Sequence, residues 1–169
     1  MLALGKLHVE IRKWDKARTY VDEVCRTANE ANSQPMIIDS QSLLAELHLT
    51  QSRLDDCAEV IHRLEDISRG VANEDIKAGL YLLFGRYYSA RGDFEQAESR
   101  LHASLMLYEG LGDWLATGRV HYYIGMSASY KGRKEQCVES LKKALDIFQF
   151  IKTKAWIAKT EAAMKTCAS

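Results

Sequence analysis

The chain has 169 residues, enough for one domain with a real core, and 47% of them are apolar, with a single proline. Its 23 basic and 23 acidic side chains cancel, which argues against a generally basic nucleic-acid binder. No apolar run reaches transmembrane length and no signal-peptide pattern follows Met1, so the composition is that of a soluble, all-helical protein expected in the cytoplasm.

Residues 1–12 read as a first helix that starts partway through a repeat, with Gly5 inside it. Trp14 to Ala31 is its partner, with Trp14, Ala17, Val21 and Val24 facing inward. Asn32-Ser33-Gln34-Pro35 ends that helix, and Pro35 suits the first turn of the next. Residues 36–51 and 54–69 form a second pair, with an inner stripe of Leu44, Ala45 and His48, then Leu54, Cys57, Ile61 and Leu64. Gly70 stops it and Asn73 caps the next helix. In the third pair, 74–91 and 94–111, Tyr81, Phe84, Gly85 and Tyr88 share one helix face, and Phe94, Ala97, Leu101, Ser104 and Leu105 share another. Gly92-Asp93 and Gly112-Asp113 each combine a left-handed stop with an N-cap. Residues 114–131 and 134–151 form the fourth pair, with Gly132 at its turn. Thr153 caps a last helix through about Cys167, with Trp156 and Ile157 on its buried face.

Self-comparison unifies these elements. A shift of 40 residues places Gly85 in register with Gly5, Ala45 and Gly125. The same shift aligns Ala97 with Ala17, Cys57 and Cys137, and Leu101 with Val21, Ile61 and Leu141. Ser104 aligns with Val24, Leu64 and Ala144, and Phe94 with Trp14, Leu54 and, less well, Lys134. The repeats therefore run over about 1–33, 34–73, 74–112 and 113–152, followed by the first half of a fifth at 153–167. Because only four residues precede Gly5, the chain is expected to be a fragment of a longer protein.

The pattern Tyr81, Phe84-Gly85, Tyr88, Ala97, Leu101 and Ser104 resembles the tetratricopeptide repeat (TPR) signature. A usual TPR unit has about 34 residues, so this chain resembles the long-repeat branch that includes the superhelical domain of the bacterial maltose-regulon activators. The phrase LYEGLGDWLATGRVHYYIG is similar to those bacterial members. The resemblance implies an all-α, right-handed α-solenoid of four helical hairpins plus one C-terminal helix, whose first helices line a concave groove. At the groove positions it places Lys6 and Val9, then Glu46 and Leu49, then Leu82, Arg86 and Ser89, then Arg119, Tyr122, Met126, Ser129 and Tyr130, together with Leu2 and Ser42. That row mixes apolar anchors with sparse charge, which suits an extended peptide or an amphipathic helix of another protein. The positions of a Lys/Asn chaperone-tail clamp hold Lys6, Glu46, Arg86 and Met126, and Glu46 would repel a carboxylate.

Nothing in the sequence assembles a catalytic or cofactor site. There is no Gly-rich phosphate loop, paired-cysteine motif or His-Glu-x-x-His. Of five histidines, His8 and His48 share one motif position, and zinc needs three or four converging ligands where only two can be named. Cys57 and Cys137 lie two repeats apart, too far for a disulfide, so Cys25, Cys57, Cys137 and Cys167 read as reduced thiols. Charge is uneven: residues 41–110 carry 7 basic and 12 acidic side chains, residues 131–169 carry 9 and 4. The ordinary reading is solvated helix faces; the sharper one is an electric asymmetry that orients a partner. The expected function is a non-catalytic interaction scaffold that binds a protein segment and touches neither nucleic acid nor membrane. Self-association through the solenoid ends is a further expectation. The alternative is an effector-sensing module of a larger signalling protein or transcription activator.

Overall fold

The computed structural model describes the backbone of residues 14–168 and the side chains of residues 18–167. Among the described residues there are eight α-helices and no strand: α1 Trp14–Glu30, α2 Gln34–Thr50, α3 Leu54–Ser68, α4 Glu74–Arg91, α5 Phe94–Leu111, α6 Trp114–Tyr130, α7 Lys134–Phe150 and α8 Lys154–Ala168. The all-helical repeat read from the 40-residue period is the observed fold. The first expected helix, residues 1–12, and the groove positions Leu2, Lys6 and Val9 lie outside the described residues.

The helix ends show why this sequence repeats. Asn73, Asp93 and Asp113 each accept a hydrogen bond from the backbone N–H three residues on, at 3.1, 3.2 and 2.9 Å. Those side chains satisfy donors that the first turn leaves free. At the C-terminal ends the same six-residue closure recurs. Arg53 N–H donates to the His48 carbonyl, Asp93 to Tyr88, Asp113 to Tyr108, Arg133 to Ala128 and Thr153 to Phe148, at 2.9 to 3.1 Å. This Schellman geometry needs a left-handed residue just past the helix. Gly92, Gly112 and Gly132 supply it, while Asn32, Ser52 and Lys152 accept the strain of a positive φ. Thus Ser52, Gly92 and Gly132 hold one register position, and Asn32, Gly112 and Lys152 the other. Ala72, which shares the second position, has no positive φ. It stands where the chain passes from one compact unit, Met1–Val71, to the next, Ala72–Ser169.

In the first unit α2 packs against both α1 and α3. Val21, Leu43 and Leu47 form its buried centre, with Cys25 and Leu44 against them. Cys57 is fully buried and its thiol donates to the Ala45 carbonyl at 3.6 Å. Small residues in this register thus let the two helices of a hairpin approach.

In the second unit α4 pairs with α5 and α6 with α7; α6 also packs against α5 and α8 against α7. A Cβ built on Gly85 would stand 2.5 Å from Leu101 Cγ, and one on Gly125 would stand 2.8 Å from Leu141 Cγ. The same small–large pair therefore closes both hairpins, 40 residues apart. Ser104, buried, donates to the Ala78 carbonyl at 2.8 Å and ties α5 to α4. One cluster centres on Leu82, Leu101, Val120 and Ile124, another on Cys137, Leu141, Ala144 and Phe148.

The cysteines depart from the expectation of four reduced thiols. Cys137 is joined to Cys167 by a disulfide, with Cα atoms 6.5 Å apart, whereas Cys25 and Cys57 stay thiols. The separation that forbids a Cys57–Cys137 bridge does not apply to α8, which lies directly against α7. Register carried the missing signal: Cys167 shares its position with Leu47, Tyr87 and Ser127, all buried.

Candidate interaction site

Helices α4, α6 and α8 of the second unit bring a group of rings and cations together. On α6, Tyr122 and Tyr123 meet edge to face at 5.2 Å. Trp156 of α8 stands edge-on to both, at 5.5 and 6.5 Å, and stacks on Phe148 of α7 at 5.2 Å. Three cations cover these rings. The Arg86 guanidinium lies 4.6 Å from the Tyr123 centroid and Arg119 lies 5.7 Å from Trp156. Lys159 Nζ is 4.4 Å from Trp156, 5.0 Å from Tyr122 and 5.7 Å from Tyr123. Attraction to a ring face contributes about 0.5–1 kcal/mol at exposed sites. It orients a cation without neutralising it. Arg119 Nε is buried with no hydrogen-bond partner among the described residues.

The local sequence explains the convergence. Arg119, Tyr122 and Tyr123 are set at three- and four-residue spacing on α6, and Trp156 and Lys159 at three-residue spacing on α8. Gly118 lets Phe148 approach: a Cβ there would lie 2.7 Å from the Phe148 ring. Phe148 in turn supports Trp156. Burial is the main cause that pushes the Tyr122 phenol up to about 12; Tyr123 and Tyr130 add to it and Arg86 opposes it. Tyr122 therefore stays a neutral hydrogen-bond donor throughout the physiological range.

Of the groove residues expected from sequence, Arg86, Arg119, Tyr122 and Met126 lie in or against this group. Tyr122 is buried beneath it, and Leu82 and Ser89 are also buried, Ser89 donating to the Gly85 carbonyl at 2.8 Å. Ser129 is half-buried and Tyr130 is 62% exposed. Glu46 and Leu49 are half-buried on α2, within the first unit. Sequence reasoning missed Tyr123 and Lys159, and placed Trp156 only on a buried face. The spacing Trp156-x-x-Lys159 was the available signal, since it sets a cation one turn from a ring.

Separately, the exposed rings of Trp114 and Phe150 meet edge to face at 5.9 Å, and Leu111 and Leu115, close to Trp114 in sequence, are exposed as well. Among the described residues no group of three or more His, Cys, Asp or Glu side chains is placed to hold a metal ion. None of the described helices is long and apolar enough to cross a membrane.

No family model matches the chain, and no curated protein sequence matches it either. Solved structures do. The STAND protein (Signal Transduction ATPase with Numerous Domains) with a tetratricopeptide repeat sensor from Pyrococcus horikoshii superposes with a TM-score of 0.72 at 14% identity, over 98% of this chain and 26% of that one. BtubC (BKLC) from P. vanneervenii superposes with a TM-score of 0.64 at 18% identity, over 90% of this chain and 62% of that one. At these identities the likeness is one of fold. The chain spans about a quarter of the first structure and three fifths of the second.

Proposed function

We propose that the chain is a non-catalytic, cytoplasmic interaction module that binds a segment of another protein across the α4, α6 and α8 face of residues 72–169. The observation that carries this is the pairing of Arg119 and Lys159 with the rings of Tyr122, Tyr123 and Trp156. Such a surface offers aromatic contact area and donors that ring contact leaves unneutralised, the combination that dominates binding hot spots. Packed helices hold it in place, so binding needs little rearrangement. Neither nucleic acid nor membrane is part of the proposal.

Selection from a displayed random-peptide library, followed by anisotropy titration of the best peptide, tests it. Lys159 is exposed, so Lys159→Glu leaves the fold intact and is expected to weaken the selected peptide at least tenfold. Arg26→Glu, in an exposed i,i+4 pair of α1, serves as the control. Equal affinity in wild type, Lys159→Glu and Arg119→Glu overturns the assignment of the site.

The likeness to a STAND protein with a repeat sensor favours a second reading, an effector-sensing module of a larger signalling protein. A small effector would raise the melting temperature of the isolated chain by mass action, whereas a module that recognises only protein segments would show no shift across a metabolite panel. Self-association is a further element of the proposal. The exposed Trp114–Phe150 patch is the surface offered for it, and sedimentation of a Trp114→Ser/Phe150→Ser variant against wild type decides it.

A further inference from the structure

We propose that the Cys137–Cys167 disulfide is a redox latch that sets how firmly α8 is docked, and with it the Trp156–Lys159 wall of the interaction site; the second half of this inference rests on the site proposed above. Among the described residues α8 packs only against α7 and α6. Its buried side chains are small: Thr160, Ala163 and Cys167. The Thr160 hydroxyl donates within its own helix, to the Trp156 carbonyl at 2.7 Å, and so ties α8 to nothing else. Trp156, Ile157 and Met164 add partly buried apolar contact. The bond to Cys137, which is fully buried on α7, ties the far end of this interface, the near end being joined by the turn 151–153. It sits about three helical turns from Trp156, so the same rigid helix carries both the latch and the wall.

Both cysteines are buried, Cys137 fully and Cys167 to 5% exposure, and Cys167 borders an open cleft of about 500 Å³ lined by Lys134, Glu135, Val138, Glu139 and Lys142, the side from which a reductant approaches. A dithiol reductant would attack Cys167 Sγ as its thiolate. The Cys137–Cys167 bond breaks and Cys137 leaves as a thiolate that takes a proton from water. The second thiol of the reductant then displaces Cys167 and closes the reductant's own disulfide. Two electrons and two protons pass to the chain, leaving two thiols. In a reducing cytoplasm the open form would prevail and oxidation would close it, which is the use cytosolic disulfides mostly have.

The test compares the full 169-residue chain oxidised, reduced with dithiothreitol, and as Cys167→Ser. Alkylation and mass measurement should count two free thiols in the oxidised chain and four after reduction; four in both states overturns the latch. Hydrogen exchange is then read on peptides covering Lys154–Ala168 and, as reference, Glu74–Leu111. Reduction should speed exchange in α8 by roughly 500-fold, the order expected from releasing a loop of this size, and leave the reference unchanged. Cys167→Ser should match the reduced chain and ignore dithiothreitol. Equal α8 exchange in oxidised and reduced protein overturns the latch whatever the peptide data show. The library-selected peptide should bind the reduced chain at least tenfold more weakly. Faster α8 exchange with unchanged peptide affinity would retain the latch as a stability device and overturn its control of the site.

Discussion

Gly85 shows how one absent side chain can set a hairpin. Its α-hydrogen faces Leu101, and a Cβ would enter that side chain at 2.5 Å, with the Leu101 backbone nitrogen at 3.2 Å behind it. Gly85→Val is expected to cost about 1–3 kcal/mol as overpacking, measured by urea denaturation. Gly110 is the contrast. It lies in α5 with nothing within 4 Å of a built Cβ, so Gly110→Ala should stabilise by about 0.5–1 kcal/mol through backbone entropy alone. Two histidines give a pH signature. Burial is the leading cause that lowers His48 and His121 below the ordinary imidazole value, with Arg53 and Lys143 the next contributors. A lowered folded-state value means the unfolded chain binds protons first. Stability is then complete above about pH 6.5 and falls as the pH drops below it. The melting temperature should decline from about pH 7.5 to about pH 5.5, and a His48→Gln/His121→Gln variant should show a shallower decline. Much of this was legible in the sequence, because a small residue every 40 positions opposite a large one has a packing meaning. What was not legible was which way each residue of α6 points: Tyr122 and Tyr123 are neighbours in sequence, and the first is buried while the second remains half-exposed.

At the scale of elements, caps and turns govern. Asp113 accepts from Ala116 N–H at 2.9 Å and starts α6, the helix that carries Arg119 and both tyrosines. Asp113→Ala should cost about 1 kcal/mol in chemical denaturation, and Asp113→Ser should recover most of it. The turn positions were readable from Gly92, Gly112 and Gly132 and from Asn32, a residue type that tolerates the left-handed region, but not from Ser52 and Lys152, where tertiary context holds a positive φ that the residue type alone does not announce. The disulfide escaped sequence reasoning for a related reason. Cys137 was recognised at a core position, but its partner lies on the next helix, and only the register shared with Leu47, Tyr87 and Ser127 marks Cys167 as buried.

At the scale of the molecule, the chain contains two compact units, and the second holds the whole of the candidate site. Residues 72–169 contain both Gly–Leu hairpins, both clusters centred on Leu101 and Leu141, and the bridge to Cys167. A repeat array draws its stability from each hairpin and from the interfaces between neighbours. This unit has two hairpins, the interface between α5 and α6, and the docking of α8 on α7. Each of its large buried side chains, such as Phe84, Leu101, Leu141 and Phe148, is worth about 1.5–3 kcal/mol of burial. Residues 72–169 expressed alone should therefore melt cooperatively with helical circular dichroism and bind the selected peptide with the affinity of the full chain. A fragment that melts without cooperativity would show that its hairpins depend on residues 1–71. A folded fragment with lost affinity would place the binding surface elsewhere. Only folding and binding together agree with a site built wholly from α4, α6 and α8.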